Sequence, residues 1–227
     1  CPLLHDSLFF VVLFPLSGIF WWFFEYLNQI VNNWYYIGVD YGPFAYALHA
    51  SLSFSTVLPA VYTTRIVIAE NSWFKRRFHH LPSLKRGLPP ALNILLIVFG
   101  CVGLAGVGIW PDILFALVWV APLLLFTGLL HLGGRPSLIG KMVQGDWRPA
   151  ASAALAALFC GCLWEMWNYF SMAKWLYSVP FVQRFEIFEM PLLGYMGYLP
   201  FGMLCIEVVE FCSSWRSEEK RVSESLP

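Results

Sequence analysis

Long apolar runs dominate the chain and are separated by short polar stretches. Six runs approach or exceed the roughly 20 residues that a helix needs to cross the hydrocarbon core of a bilayer. They are residues 8–32, 43–69, 91–109, 113–131, 150–171 and 187–211. The third and fourth runs contain no Asp, Glu, Lys or Arg, whereas each of the other four contains at least one. The pattern predicts an all-α integral membrane bundle of six transmembrane helices.

Composition supports the same class. The chain is 59% hydrophobic and 12% charged, whereas an average soluble domain is roughly 45–50% apolar and about 25% charged. Because so few charged side chains cannot coat a soluble globule, the lipid bilayer is the first predicted partner. The formal net charge is zero, which gives no support to nucleic-acid binding. A membrane-protein partner and a homo-oligomer both remain open.

The basic residues are distributed unevenly between the connections. Twelve of the 14 Lys and Arg residues lie in segments 64–90 and 132–148 and in the tail after residue 212. These regions lie on one side of the membrane if all six runs span it, and the positive-inside rule assigns that side to the cytoplasm. The sequence therefore predicts cytoplasmic termini, with a bacterial inner membrane as the location.

The first two and the last two predicted spans share a pattern, a Glu-x-x-Asn pair followed by Trp-x-Tyr. The copies are Glu25, Asn28, Trp34 and Tyr36, and Glu165, Asn168, Trp175 and Tyr177. The offset is 140 for Glu and Asn and 141 for Trp and Tyr. Because three spans separate the first from the fifth, the two copies run in parallel. The predicted organisation is one transmembrane domain, 1–212, containing repeat A (8–69), a middle hairpin (91–131) and repeat B (150–211), and a cytoplasmic polar tail, 213–227.

Carboxylates inside the apolar runs are the candidate chemistry. Glu25 lies about 25 Å along its predicted helix, and Glu165 lies at a similar depth. An ionisable group at such depth faces protein or water rather than lipid, because exposure to lipid costs a few kcal/mol. We therefore predict a cluster near the outer leaflet. Its candidate acid–base residues are Glu25, Glu165, Glu186 and Glu189, and its candidate ligand-binding residues are Asn28, Asn168, His49, Trp34, Tyr36, Trp175 and Tyr177.

The positions of these residues follow from helical spacing. Residues three apart share a helix face, which places each Asn beside its Glu and places Glu186 beside Glu189. His49 lies at a comparable depth in the second span. The sequence contains no Gly-rich phosphate loop and no pair of facing histidines, so neither a cofactor nor a metal site is predicted.

Each part of this cluster has a structural alternative. The Glu and Asn side chains could instead form interhelical hydrogen bonds that hold the bundle together. The Trp and Tyr residues could instead form an interfacial aromatic belt. Three functions stay open: binding of, or acid–base chemistry on, an isoprenoid-like lipid; a non-enzymatic subunit of a membrane complex; or a small proton- or cation-coupled transporter.

One stretch resembles a known family. Trp167-Asn168, Trp175-x-Tyr177 and Glu189-Met190-Pro191, over residues 163–200 with a degraded copy at 22–60, resemble the small membrane lycopene cyclases of the heterodimeric bacterial and fungal type. The resemblance implies intramembrane carboxylates that protonate a carotenoid end group and then remove a proton. It implies that Glu165, Glu186 and Glu189 are the acid–base candidates. The Pro-x-Glu-Glu order of that family is absent, since Glu precedes Pro here.

Overall fold

The computed structural model describes residues 7–77 and 89–225, with side chains described as far as residue 213. This part of the chain is predominantly helical, as predicted. The helices are α1 (Ser7–Val31), α2 (Pro43–Phe54), α3 (Val57–Glu70), α4 (Ser72–Arg77), α5 (Pro90–Ile109), α6 (Pro111–Leu114), α7 (Leu117–Leu132), α8 (Leu138–Val143), α9 (Arg148–Tyr169) and α10 (Tyr198–Ser225). The connections contain strands β1 (Trp34–Ile37), β2 (Lys174–Tyr177), β3 (Glu186–Ile187) and β4 (Met190–Pro191), and a 3-10 helix (Leu192–Gly197).

Five stretches of the described residues are long and apolar enough to cross a membrane. They are Ser7–Val31, Pro43–Glu70, Ala91–Ile109, Arg148–Tyr169 and Leu192–Ser213. The fourth predicted run corresponds to α7, a shorter apolar helix of 16 residues. A turn at residues 115–116 separates α7 from α6 and shortens it.

Two helix boundaries have a local cause. A turn at residues 55–56 divides α2 from α3, where the Ser55 and Thr56 hydroxyls donate to backbone carbonyls three residues earlier. Such side-chain bonds compete with the helical hydrogen-bond ladder. Helix α1 ends at Val31. The next residue, Asn32, has a φ of 51°, a left-handed conformation that Asn tolerates after a helix.

Small residues bring the helices close together in the core. On α9, Ala153, Ala156 and Ala157 are fully buried, and α10 presents Gly202 to them. A Cβ at Gly202 would collide with the Ala153 carbonyl oxygen and lie 2.6 Å from the Ala157 Cβ. Helix α3 packs against both α9 and α10, and α1 packs against α3. Helices α5 and α7 pack closely against each other.

The two aromatic loops meet at one end of the bundle, which we call the strand end. Strand β1 pairs antiparallel with β2, so that Trp34 lies opposite Tyr177 and Tyr36 lies opposite Trp175. The Ser178 amide continues the pairing by donating to the Asn33 carbonyl at 2.8 Å. The two segments predicted as copies of each other are therefore joined directly through their backbones.

A polar network occupies the opposite end. The Glu207 carboxylate on α10 accepts the Leu138 amide hydrogen at 2.7 Å. The Ser137 hydroxyl lies 2.6 Å from His131 Nε2, and His131 Nδ1 lies 2.9 Å from Asn93 Oδ1. This network fixes the short helix α8 against the bundle.

Candidate functional site

The Glu25 carboxylate is the centre of the first cluster at the strand end. Its Oε1 accepts hydrogen bonds from Trp21 Nε1 at 3.0 Å, Trp34 Nε1 at 3.1 Å and the Tyr36 hydroxyl at 2.6 Å. Glu25 is buried, with 8% of its surface exposed. An indole N–H can only donate, so this oxygen is held as an acceptor.

The Glu165 carboxylate is the centre of the second cluster. Its Oε1 accepts from the Tyr177 hydroxyl at 2.6 Å and from the Tyr198 hydroxyl at 2.9 Å. Trp175 Nε1 donates to the Tyr177 oxygen at 2.9 Å, which makes a chain of donors ending on Glu165. Glu165 is fully buried, and its Oε2 has no hydrogen-bond partner among the described residues.

The Asn of each copy holds the strand that carries the aromatic residues. Asn28 Nδ2 donates to the Trp34 carbonyl at 2.7 Å, and Asn28 Oδ1 accepts the Trp34 amide at 3.2 Å. Asn168 makes the same two bonds to Trp175, at 2.8 and 2.9 Å. The Glu-x-x-Asn spacing therefore lets one helix face bind both the backbone and the side chains of the following loop.

The two clusters differ in two donors. Trp34 donates directly to Glu25, whereas Trp175 donates to the Tyr177 oxygen, and Trp21 has no counterpart on the helix that carries Glu165. Trp21 lies four residues before Glu25, and the residue four before Glu165 is Gly161. A Cβ at Gly161 would lie 2.5 Å from the Tyr198 ring, so the glycine makes room for this ring. Glu165 thus accepts a phenol from α10 where Glu25 accepts an indole from its own helix.

A cavity of about 790 Å³ lies between the two clusters. This volume falls within the roughly 300–1,000 Å³ of typical ligand pockets. The aromatic residues of both clusters line it, together with Trp119 and Phe201. Glu25 and Glu165 are not among its lining residues, so the phenols and indoles separate the carboxylates from the cavity.

The cavity reaches the surface of the protein. Its lining includes His49 and Ser53 of α2 and Trp167 of α9, all of which are exposed. Part of the opening therefore lies beside α2 and α9, at the strand end. A ligand could enter there without unfolding the bundle.

Burial controls the ionisation of the loop tyrosines. Burial and the neighbouring Glu25 charge raise the pKa of Tyr36, and burial raises the pKa of Tyr177. Both phenols therefore keep their hydrogens at neutral pH.

Only some of the predicted residues join these clusters. The structure brings together Glu25, Asn28, Trp34 and Tyr36 in one cluster and Glu165, Asn168, Trp175 and Tyr177 in the other. The four aromatic side chains are bonded to the carboxylates or to one another, an arrangement that an interfacial belt would not require.

The prediction that Glu186 and Glu189 share a helix face is wrong. Their segment is the β3–β4 hairpin, in which Phe188 has a φ of 57°, so the last predicted run becomes helical only from residue 192. Glu186 is exposed and accepts a bond from Gln183 Nε2 at 2.8 Å. Glu189 forms an ion pair with Lys174 at 2.8 Å.

His49 contributes to the cavity without joining either carboxylate. Its ring lies 5.1 Å from the Tyr41 ring, at the exposed rim. The predicted single cluster is therefore two carboxylate clusters, with His49 at the mouth of the cavity between them.

The site also contains residues that were not predicted from the sequence, among them Trp21, Tyr198 and Asn33. Trp21 could have been predicted from its spacing, because it lies four residues before Glu25 and residues four apart share a helix face. Tyr198 had none, because it approaches Glu165 from α10, 33 residues away. Asn33 also lines the cavity and follows no periodic pattern.

Among the residues whose side chains the structure describes, no group of three or more His, Cys, Asp or Glu residues is placed to hold a metal ion. Comparison of the chain with protein-family models, with curated proteins and with solved structures identifies no significant match. The site's own geometry is therefore the basis for a function.

Proposed function

We propose that this integral membrane protein binds an isoprenoid-like lipid in the aromatic cavity and that the two carboxylate clusters exchange protons with the bound lipid. The observation that supports this proposal is the cavity of about 790 Å³, which is lined by phenols and indoles of the Glu25 and Glu165 clusters. The proposal keeps the carboxylates as the source and sink of protons and gives the tyrosines the contact with the ligand.

The lining suits an apolar, unsaturated ligand. Aromatic rings bury large apolar areas and stack against flat π-systems. Among the described residues that line the cavity, Lys174 is the only Lys, Arg, Asp or Glu, and it forms an ion pair with Glu189. The resemblance to lycopene cyclases supplies a carotenoid-like end group as the expected substrate class.

Proton transfer would run through the phenols. Tyr177 and Tyr198 both line the cavity and both donate to Glu165. When Glu165 carries a proton, a phenol that gives its hydrogen to a ligand regains one from this carboxyl group, which becomes a carboxylate. In the reverse direction the phenol passes its hydrogen to the carboxylate and takes a proton from the ligand. Such positioned acid–base groups typically contribute about 10²–10⁴-fold to a rate.

We also propose that the bundle is a duplicated helix pair with six spans. The matching Asn-to-Trp bonds and Tyr-to-Glu bonds of the two copies support the duplication. The pairing of α7 with α5 supports a sixth, short span. The distribution of basic residues supports cytoplasmic termini in a bacterial inner membrane.

The binding proposal can be tested by identifying any lipid that stays bound to the protein during purification. We expect extraction and mass spectrometry to recover an isoprenoid-like lipid, whose absorption spectrum reports any polyene. Ala50→Trp should reduce the recovered lipid because Ala50 lines the cavity. The control Ala47→Trp lies on the same helix, is exposed and does not line the cavity. A colourless, lipid-free native protein would contradict the proposal.

Deuterium uptake tests the proton-exchange proposal even when the product is unidentified. Native protein incubated with its lipid in D₂O should introduce deuterium into that lipid. Glu165→Gln and Tyr198→Phe should slow the uptake at least tenfold while leaving lipid binding and helical content intact. Uptake at the native rate in both variants would rule out proton transfer through this cluster.

One observation favours a second candidate, a non-enzymatic membrane subunit. Both carboxylates are hydrogen-bonded to the loops and stand behind the cavity wall, as residues that fasten β1 and β2 would. This candidate predicts that Glu165→Gln changes only stability and that the purified chain retains no specific lipid.

A further inference from the structure

Six tryptophans line the cavity, and their indole N–H groups divide into two sets. Three of them donate hydrogen bonds within the carboxylate clusters: Trp21, Trp34 and Trp175. The other three have an indole N–H without a hydrogen-bond partner among the described residues: Trp119, Trp164 and Trp167. An indole N–H can only donate. The second set can therefore be satisfied only by an acceptor, which a ligand can supply.

Trp119 on α7 has its ring in the aromatic core of the bundle. The ring stacks on Phe24 and Trp34, with centroid distances of 5.0 and 6.0 Å. It also meets the Phe201 ring edge-on at 5.5 Å, and Phe201 lies 6.4 Å from the Tyr198 ring. Trp34 belongs to the Glu25 cluster and Tyr198 to the Glu165 cluster, so Trp119 lies between the two.

The indole N–H of Trp119 lies beside a glycine of the cavity wall. Trp119 Nε1 is not one of the enclosed side-chain atoms that lack a partner in the described part of the chain, so it keeps accessible surface. Gly197 also lines the cavity, and a Cβ built on it would lie 3.5 Å from Trp119 Nε1. The three atoms nearest to that Cβ all belong to Trp119. Without a side chain at Gly197, the N–H edge of the indole is open to the cavity.

We propose that the lipid of the cavity carries a carbonyl group whose oxygen accepts a hydrogen bond from Trp119 Nε1 beside Gly197. This inference rests on the proposed lipid-binding function and adds the polar group by which the lipid is recognised. The carbonyl group lies between the two carboxylate clusters, and the apolar part of the molecule lies along the aromatic wall.

Three other ligand chemistries fit less well. A pure hydrocarbon would leave the Trp119 N–H unpaired and shielded from water, which is unfavourable for a donor. An alcohol could accept from Trp119, but it brings a hydrogen of its own, and neither of the other unpaired indoles can accept it. An anionic head group would require a free cation, and Lys174, the only Lys or Arg among the described lining residues, already pairs with Glu189.

A polyene methyl ketone and two analogues are matched probes of this contact. In one analogue a CH₂ group replaces the carbonyl oxygen, and in the other the carbonyl group is reduced to a secondary alcohol. Energy transfer from the protein's tryptophans to the polyene reports binding to the purified protein in nanodiscs. We expect the native protein to bind the ketone about tenfold more tightly than the CH₂ analogue, with the alcohol between them. A tenfold difference corresponds to about 1.4 kcal/mol.

The infrared spectrum of the bound ketone reports the hydrogen bond itself. We expect the C=O stretching band to lie at lower frequency in the native protein than in empty nanodiscs, because a hydrogen bond weakens the carbonyl double bond. In Trp119→Phe, which keeps an aromatic ring and removes the N–H, the band should return to the frequency of the empty nanodiscs.

Substitutions assign the preference to this indole. Trp119→Phe should bind the ketone and the CH₂ analogue within about twofold of each other and should keep the native affinity for the CH₂ analogue. Gly197→Ala leaves Trp119 in place and covers its N–H with a methyl group at an ordinary contact distance, so it should also weaken the preference. Trp167→Phe is the matched control, because it removes an unpaired indole N–H from an exposed lining residue, and it should keep the tenfold preference.

The outcomes separate this inference from the function on which it rests. Equal affinity of native protein for the ketone and the CH₂ analogue would overturn the carbonyl assignment and leave the lipid cavity standing, as would an alcohol that binds as tightly as the ketone. A preference that survives in both Trp119→Phe and Gly197→Ala would overturn the role of Trp119. Failure of native protein to bind any of the probes would overturn both the inference and the proposed function.

Discussion

Replacing Asn168 by Ala should release strand β2 from helix α9. The side chain makes two hydrogen bonds to the Trp175 backbone, at 2.8 and 2.9 Å. Each such bond has a net value of about 0.5–1.5 kcal/mol, and the Trp175 amide and carbonyl would lose these partners. We therefore expect a loss of about 2 kcal/mol in the free energy of unfolding. Asn28→Ala should cost at least as much, because the corresponding Trp34 is buried.

The assay is equilibrium unfolding in mixed detergent micelles, followed by helical circular dichroism. The control is Gln29→Ala, which removes an exposed amide from the helix that carries Asn28 and should change stability by less than about 0.5 kcal/mol. If Asn168→Ala and Asn28→Ala were as stable as this control, the Asn clamps would not hold the strands.

Two further predictions concern packing and pH. Gly202→Ala should lower the free energy of unfolding by about 1–3 kcal/mol through overpacking, because a Cβ there meets the Ala153 carbonyl. The control Gly108→Ala should leave stability unchanged, because a Cβ at Gly108 has nothing within 4 Å. Thermal unfolding of the two variants measures the difference. Because the folded-state pKa values of Tyr36 and Tyr177 are raised, their contribution to stability is complete below the ordinary tyrosine pKa of about 10 and is lost as pH rises above it. The free energy of unfolding should therefore fall at alkaline pH, and it should fall less steeply when Tyr36 and Tyr177 are both replaced by Phe. The same slope in this variant and in the native protein would contradict the burial of these two phenols.

The lengths of the apolar runs predicted most of the helices, because a helix that crosses a bilayer needs a continuous run of about 20 apolar residues. The bounds of α1, α5 and α9 lie within two residues of the predicted runs. The last run was misplaced because hydrophobicity continues through Phe188 and Pro191, where the backbone forms a hairpin instead. Hydrophobicity alone does not distinguish these two conformations.

The candidate site was predictable where it depended on local spacing. Glu25 and Asn28 recur at the spacing of Glu165 and Asn168, and both pairs contact the loops that follow them. The pairing of β1 with β2 joins segments about 140 residues apart, and no local pattern encodes such a partner. Tyr198 belongs to the same class of long-range contact.

The location of a bound lipid tests the central claim most directly. A diazirine-bearing isoprenoid lipid would be photo-cross-linked to native protein in nanodiscs, and the modified residues would be mapped by peptide mass spectrometry. We expect cross-links concentrated on cavity residues such as Trp119, Tyr198 and Phe201, and we expect them to disappear on competition with the unlabelled lipid. Cross-links confined to exposed apolar positions such as Val98 and Val102 on α5, unaffected by competitor, would contradict lipid binding in the cavity.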